Sequence, residues 1–202
     1  MDTGILSDDK YERWLIRTQP VLDFIDSALT RTRTAVDAGA AEGLVTRWLA
    51  ERFERVWAFE PVPKSFALLR EKPWPPGVVC HNVALGDKAE RRAIEGRGHS
   101  AHVTELRDGD GVQVCRLDDF DIADVDLIKI DVEGFESRVI AGAARLIARD
   151  APMIMFERKK LWQTRYNDED PQIVLEKLGY AVAFRGPLDT VMTYRPEQAE
   201  SD

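Results

Sequence analysis

Short apolar runs alternate with amphipathic segments along most of the chain. The apolar runs have the length of buried strands, and they cover residues 34–37, 55–60, 78–85, 125–131 and 152–157. Between them, apolar residues recur with a helical period in residues 43–52, 64–71 and 135–149. Strands and helices that alternate at this spacing predict right-handed crossover connections and a parallel sheet.

The N-terminal segment lies outside this alternation. Residues 10–29 have apolar positions at a helical period, and Pro20 interrupts it. We therefore expect one or two helices that cover an edge of the sheet. They would form an N-terminal helical cap within residues 1–30 and contribute to the mouth of a site.

The C-terminal segment predicts one more helix and two more strands. The helix covers residues 170–178, and the strands cover residues 180–185 and 190–194. A Gly-Pro pair between the two strands indicates a turn, so we expect them to be antiparallel. We expect residues 196–202 to form a tail.

Residues 86–111 break the alternation because they are rich in glycine and charge. Two short β-like pieces, at residues 92–95 and 102–106, lie inside this segment, and a strand at residues 112–117 follows it. We interpret the segment as an inserted hairpin or loop at the carboxyl edge of the sheet, where α/β proteins bind ligands. An ordinary surface hairpin is an equal alternative.

Composition indicates one domain over residues 1–202. The chain is 44% hydrophobic, enough for a substantial core, and its apolar runs are too short to span a bilayer. The first residues lack the apolar core of a signal peptide, so we expect none. We expect a cytoplasmic protein without membrane contact, whose Cys80 and Cys115 are free thiols. A net charge of −8 disfavours nucleic acid and favours a small-molecule or glycan partner. The oligomeric state is left open.

The candidate chemistry begins at the end of the first predicted strand. Asp37 ends that strand, and Gly39 and Gly43 follow it before the first amphipathic helix. Strand, glycine turn and helix in this order are typical of a nucleotide-binding α/β unit. Glycine suits such a turn because the backbone angles are unusual and because a ligand can approach a main chain that has no Cβ.

Polar residues also end the later strands, so we expect them on one rim of the sheet. Glu60 ends the second strand and can accept two hydrogen bonds from ribose hydroxyls, with capping of the next helix as the alternative. Asn82, followed by Val83 and Ala84, can border a purine ring, with a core or turn role as an equal alternative. Each polar side chain at the end of a buried strand needs a physical reason.

The most informative stretch covers residues 128–136. Lys129 and Asp131 alternate onto one face of a strand, and a lysine there needs a carboxylate partner or a route to an edge. Asp131 is the best single candidate for a functional carboxylate. Glu157 ends the neighbouring strand and can share a proton with Asp131, bind a divalent cation with it, or pair with Lys129.

Histidine offers a further candidate base. His99 lies in the sequence GRGHS on the inserted segment, from which it can reach the cleft. Its ordinary pKa suits a general base. A surface histidine without a role is an equal alternative.

These residues together resemble the FkbM-type family of S-adenosylmethionine (SAM)-dependent methyltransferases. The similarity covers residues 34–157 and rests on VDAGAAEG, FEPVPKSFALL, NVALGD, CRLDDF and LIKIDVEGFESRVIAGA. The IDVEG core of the last block is the specific element. The first block departs from the commoner glycine-asparagine turn because it carries Ala40-Ala41-Glu42.

The resemblance implies a Rossmann-like class I methyltransferase. Such a fold has a seven-stranded, mostly parallel sheet, a C-terminal antiparallel strand and helices on both faces. The cofactor would be SAM, and its expected contacts are Asp37, Gly39, Ala40, Gly43, Glu60, Pro61, Asn82, Val83, Ala84 and Asp131. The expected reaction is O-methylation of a sugar or related natural product.

Methyl transfer to a hydroxyl needs positioning and the removal of one proton. The candidates for that base are Asp131, Glu157 and His99. A Mg²⁺ ion held by the carboxylates is the alternative, and we favour a base without a bound metal.

Two other function classes compete with this interpretation. The first is an NAD(P)-dependent oxidoreductase on a Rossmann-like fold, although Ala41 and Glu42 after Gly39 depart from the G-x-G-x-x-G pattern. The second is a catalytically inactive cofactor-binding domain. Intact acids at the ends of the predicted strands argue against that second class.

Overall fold

The computed structural model describes residues 8–96, 101–105 and 111–196. Its helices are α1 Asp8–Ala28, α2 Leu44–Ala50, α3 Pro63–Arg70, α4 Glu136–Gly142, α5 Ala144–Asp150 and α6 Pro171–Lys177. Its strands are β1 Thr34–Ala38, β2 Arg55–Phe59, β3 Val78–His81, β4 Ala84–Leu85, β5 Glu90–Glu95, β6 His102–Thr104, β7 Val112–Cys115, β8 Val125–Ile130, β9 Met153–Glu157, β10 Tyr180–Arg185 and β11 Asp189–Tyr194. A π-helical turn covers Trp162–Tyr166. The predicted tail beyond residue 196 lies outside the described residues.

Seven strands form the main sheet in the order β10-β11-β9-β8-β1-β2-β3. The strands from β9 to β3 are parallel to one another, whereas β11 is antiparallel to both of its neighbours. This arrangement confirms the predicted mostly parallel sheet with a C-terminal antiparallel strand. Every residue of β1, β8 and β9 is buried, which explains why their sequences are apolar with few exceptions.

The two faces of the sheet are covered by different helices. One face packs against α4, α5 and α6. The other face packs against α1 and α2. Phe24 of α1 stacks on Phe184 of β10 with ring centroids 5.0 Å apart, so the N-terminal helix also covers that edge of the sheet.

The N-terminal helix continues through Pro20. A proline inside a helix leaves the carbonyl of the residue four positions earlier without its N–H partner. That residue is Ile16, which is 76% exposed, so water can reach its backbone. The helix buries Val21, Leu22 and Ile25 one turn later against the sheet.

The predicted helix over residues 135–149 is divided into α4 and α5. Its backbone leaves the helical region at Ala143, which has φ −111°. Asp118 accepts hydrogen bonds from the N–H groups of Arg145 (3.0 Å) and Leu146 (2.9 Å), which are free at the start of the second helix. A side chain from a distant loop therefore caps α5, a contact that helical periodicity does not encode.

The segment between β3 and β8 forms a second sheet in the order β4-β7-β5-β6. The predicted hairpin is present as the antiparallel pair of β5 and β6. The predicted third strand is divided, because β3 joins the main sheet and β4 pairs with β7. Within residues 8–96, 101–105 and 111–196, no helix has both the length and the apolar character needed to cross a membrane.

Candidate functional site

The turn after β1 is held by backbone contacts. Gly39 has φ +82°, and its N–H donates a 3.0 Å hydrogen bond to the carbonyl of Phe59 at the end of β2. A Cβ on Gly39 would lie 1.9 Å from the backbone oxygen of Asp131. The glycine is therefore required by its backbone angle and by the close approach of the chain after β8. The missing Cβ makes room for the backbone of Asp131, and the approach of a ligand to the main chain at Gly39 stays a prediction.

A buried ion pair lies beneath this turn. Asp37 is 0% exposed, and β1 pairs it in register with Lys129 of β8. The Nζ of Lys129 lies 3.0 Å from Oδ1 of Asp37 and donates a 2.8 Å hydrogen bond to the carbonyl of Gly39. Thr46 donates to the other oxygen of Asp37 at 2.7 Å. The turn is thus supported from below by a charge pair that the protein core encloses.

Lys129 is charged in this environment. Burial lowers its pKa, but the negative charges of Asp37 and Asp131 more than offset the burial, so the pKa is raised above its ordinary value. Lys129 therefore has the carboxylate partner that its place in a buried strand predicts. That partner is Asp37, not Glu157.

Glu60 connects two loops at the end of β2. Its Oε2 accepts the N–H of Ala41 in the glycine turn, and its Oε1 accepts the N–H of Val62 before α3, both at 2.8 Å. Burial raises the pKa of Glu60, and these two hydrogen bonds offset only part of that rise. Each carboxylate oxygen has a second lone pair. Glu60 therefore combines the helix-capping contact with a place on the cleft wall.

A cleft of ≈ 590 Å³ lies over the carboxyl ends of β1, β2, β8 and β9. Eight of the predicted site residues line it, namely Gly39, Ala40, Glu60, Pro61, Val83, Ala84, Asp131 and Glu157. Val45, Phe59 and Leu85 add apolar surface.

Three predicted cofactor contacts lie away from the wall of this cleft, and one predicted base lies outside the described residues. Asp37 lies beneath the turn, and Gly43 packs towards Leu69. Asn82 is exposed, and its amide donates to the carbonyl of Glu60 at 2.8 Å. His99 is outside the described residues, whereas His102 of β6 lines the cleft.

Three carboxylates meet in the lining of the cleft. Oxygens of Asp131, Glu133 and Glu157 all lie within 4.8 Å of one another. Burial and the charge of Asp131 raise the pKa of Glu157 to about 7, although Lys159 opposes the rise. Glu157 is therefore about half protonated near neutral pH.

Comparison with known proteins agrees with this geometry. Residues 37–182 match the methyltransferase FkbM domain. The chain belongs to the FkbM methyltransferase family. No curated protein sequence matches the chain.

Solved structures show the same fold. An FkbM methyltransferase from Methylobacillus flagellatus KT superposes with a TM-score of 0.55 and 20% identity, over 81% of this chain and 44% of that protein. A Clostridium thermocellum protein proposed to be an rRNA methylase has a TM-score of 0.56 and 14% identity, over 88% of this chain and 94% of that one. A Streptococcus mutans protein proposed to be a methyltransferase, in complex with SAH, has a TM-score of 0.50 and 11% identity, over 88% and 97%. The chain thus has a class I methyltransferase fold, and it spans 44% of the length of the M. flagellatus protein.

The FkbM chain also has residues around the cleft that the sequence patterns did not reveal. Asp189 begins β11, and because β11 is antiparallel, its first residue lies beside Glu157 at the last residue of β9. Burial and the charge of Asp131 raise the pKa of Asp189 to about 6. Considering only the ends of parallel strands misses such a residue.

Two further groups of residues reach the cleft. Arg13 and Arg17 line it from α1, one helical turn apart. Lys159 lines it from the segment after β9. In the sequence, only the polar face of the N-terminal helix could have indicated that Arg13 and Arg17 line the cleft.

The sequence block LIKIDVEGFESRVIAGA of this FkbM chain contains a buried acid whose pKa is raised. Glu136 is 3% exposed, and its Oε1 accepts the N–H of Gly134 at 2.9 Å. Burial raises its pKa from 4.5 to about 7. The folded chain therefore binds more protons than the unfolded chain between these two pH values, and stability falls as the pH rises through this window.

We expect the stability of Glu136→Gln relative to the wild type to rise by about 2 kcal/mol between pH 4.5 and pH 8. Glutamine keeps an acceptor oxygen for Gly134 and removes the charge that burial disfavours. Urea unfolding of both proteins at the two pH values measures the effect. Identical pH dependence in wild type and Glu136→Gln would contradict it.

Proposed function

We propose that this chain is a SAM-dependent methyltransferase that methylates a hydroxyl group of a sugar or related natural product. The observation that carries the proposal is one cleft whose wall combines a glycine turn, Glu60 and the Asp131–Glu157 acid pair. The FkbM family and the fold shared with an SAH-containing methyltransferase structure support the cofactor.

The residues of the cleft fit the chemical parts of SAM. Glu60 has lone pairs for ribose hydroxyls, and Val83, Ala84 and Leu85 provide a small apolar wall that suits an adenine ring. The volume of ≈ 590 Å³ lies within the range of ligand sites, about 300–1,000 Å³. When bound, SAM supplies a methyl group on a positively charged sulfur.

The acid pair supplies the proton acceptor. An acceptor hydroxyl must lose its proton during methyl transfer, and a carboxylate in hydrogen-bond reach can take it. We assign this role to Asp131. Glu157 is the neighbouring carboxyl group in the same cluster. Asp131 lines the cleft and is half-exposed, so a substrate hydroxyl has access to its carboxylate.

The charge of the chain favours a small acceptor over RNA. The lining of the cleft is nearly balanced, with five carboxylates (Glu42, Glu60, Asp131, Glu133 and Glu157) and four basic side chains (Arg13, Arg17, Lys129 and Lys159). A phosphate backbone is bound chiefly by neutralising basic groups, and the whole chain carries −8. The rRNA methylase among the similar structures shows the fold alone.

Transfer of labelled methyl from SAM tests the proposal. The acceptors are a panel of sugars and hydroxylated natural products, with an rRNA fragment as a comparison. We expect label on a hydroxyl of a panel compound. Label on RNA alone would contradict the acceptor class, and SAM binding without transfer to any acceptor would favour a catalytically inactive cofactor-binding domain.

Glu60→Gln is expected to weaken SAH binding by about tenfold to a hundredfold. The amide replaces one carboxylate oxygen by an NH₂ group, so the side chain loses its charge and one acceptor for a ribose hydroxyl, and a hydrogen bond to a charged group contributes about 1.5–3 kcal/mol. Isothermal titration calorimetry measures the affinity. Glu71→Gln, an exposed glutamate after α3, is the matched control. Equal affinity of Glu60→Gln and wild type would remove Glu60 from the cofactor site.

A further inference from the structure

The acid cluster contains a positive charge of its own. The Nζ of Lys159 lies 2.7 Å from Oε2 of Glu157 and 3.0 Å from Oε1 of Glu133. Both carboxylates are buried, whereas the lysine side chain is 41% exposed. The ammonium therefore closes the cluster from its solvent side.

Three carboxylates in this arrangement are otherwise suited to a divalent metal. Asp131, Glu133 and Glu157 offer hard oxygen ligands within 4.8 Å of one another. Lys159 is in ionic contact with two of the three. A cation bound by all three carboxylates would have to share their oxygens with the ammonium or displace it.

The position of Lys159 follows from the strand before it. Lys159 lies two residues beyond the last residue of β9, and its Nζ reaches back to the carboxylate of Glu157 at 2.7 Å. Arg158, between them, donates to the carbonyl of Gly186 instead. Arg165 supports the cluster from the π-helical turn by donating to the backbone oxygen of Glu133 at 2.7 Å, and its guanidinium also lies 3.4 Å from Oε2 of that glutamate.

We propose that the ammonium of Lys159 takes the place of a divalent metal in this cluster and holds Glu157 beside Asp131, so that the chain needs no metal for its reaction. The last clause rests on the proposed methyltransferase function. The contact of Lys159 with the carboxylates is independent of that function, because it is present in the chain without cofactor. Lys159 is thus a positioning residue, because it acts by holding Glu157 in place.

Binding of Mn²⁺ tests the proposal, measured by electron paramagnetic resonance on the purified chain without cofactor. Lys159→Met should bind one Mn²⁺ at least about tenfold more tightly than wild type, since affinity for a hard cation increases with the net negative charge of its ligands. Lys160→Met, which removes the neighbouring exposed lysine, should bind Mn²⁺ as weakly as wild type. If Lys159 had a purely structural role, its replacement would not create a metal site.

Two results would overturn the proposal. In the first, the wild type binds Mn²⁺ as tightly as Lys159→Met does. In the second, Lys159→Met is folded but binds Mn²⁺ no more tightly than the wild type. If the methionine variant does not fold, Lys159→Gln replaces it, because glutamine can still donate to Glu157 without a charge.

A second experiment tests whether the reaction needs a metal. Labelled methyl transfer by wild type should be unchanged by EDTA. Loss of transfer in EDTA with recovery in Mg²⁺ would overturn the metal-independent reaction. The Mn²⁺ comparison requires no activity, so its outcome is separate from a failure of the proposed function.

Discussion

Replacing Lys129 with methionine is expected to lower the free energy of unfolding by about 3–5 kcal/mol, the cost of removing one partner from a buried ion pair. The change leaves Asp37 fully buried with Thr46 as its remaining side-chain partner. It also removes the hydrogen bond that Lys129 donates to Gly39. Urea unfolding at neutral pH measures the loss. Lys88→Met, at a lysine whose side chain is 60% exposed, is the control and should change stability little.

The double variant Asp37→Asn, Lys129→Met tests the reason for this loss. If an unpaired buried charge causes the instability, removal of that charge should recover a substantial part of it. A double variant that is less stable than Lys129→Met alone would contradict this explanation. So would a Lys129→Met protein with the stability of the Lys88→Met control.

Asp131→Asn is expected to reduce the rate of methyl transfer by about 10²–10⁴-fold, the usual contribution of a positioned base. Asparagine keeps the size of the side chain but cannot take up the proton of the acceptor. The labelled-SAM assay measures the rate once an acceptor is found. Asp121→Asn, at an exposed aspartate outside the cleft, is the matched control.

The same substitution should change the ionisation of Glu157. The charge of Asp131 helps to raise the pKa of Glu157 to about 7, so its removal should lower that pKa. The acidic limb of the pH–rate profile, or the carboxyl carbon signal of Glu157 in NMR spectra, reports this shift. A wild-type rate in Asp131→Asn would show that another group accepts the proton.

The sequence allowed the main sheet to be predicted because its central strands are buried on both faces. In such strands a polar residue stands out, and Glu60, Asp131 and Glu157 were recognised in this way. All three line the cleft. Their common rim follows from parallel strand order alone.

The partners of these residues could not be predicted, since they depend on register and on distant loops. Lys129 requires a carboxylate, but only the pairing of β1 with β8 makes that partner Asp37. Asp189 reaches the rim through an antiparallel strand, and Lys159 through the segment after β9. The second sheet escaped prediction because two-residue β4 has too few positions to show a period.

Calorimetric titration of the wild-type chain with SAH, and separately with NADH, tests the central claim that this cleft is a SAM site. We predict one saturable SAH site, weakened in Glu60→Gln and unchanged in Glu71→Gln, and no binding of NADH. Binding of NADH without binding of SAH would contradict the claim and favour an oxidoreductase.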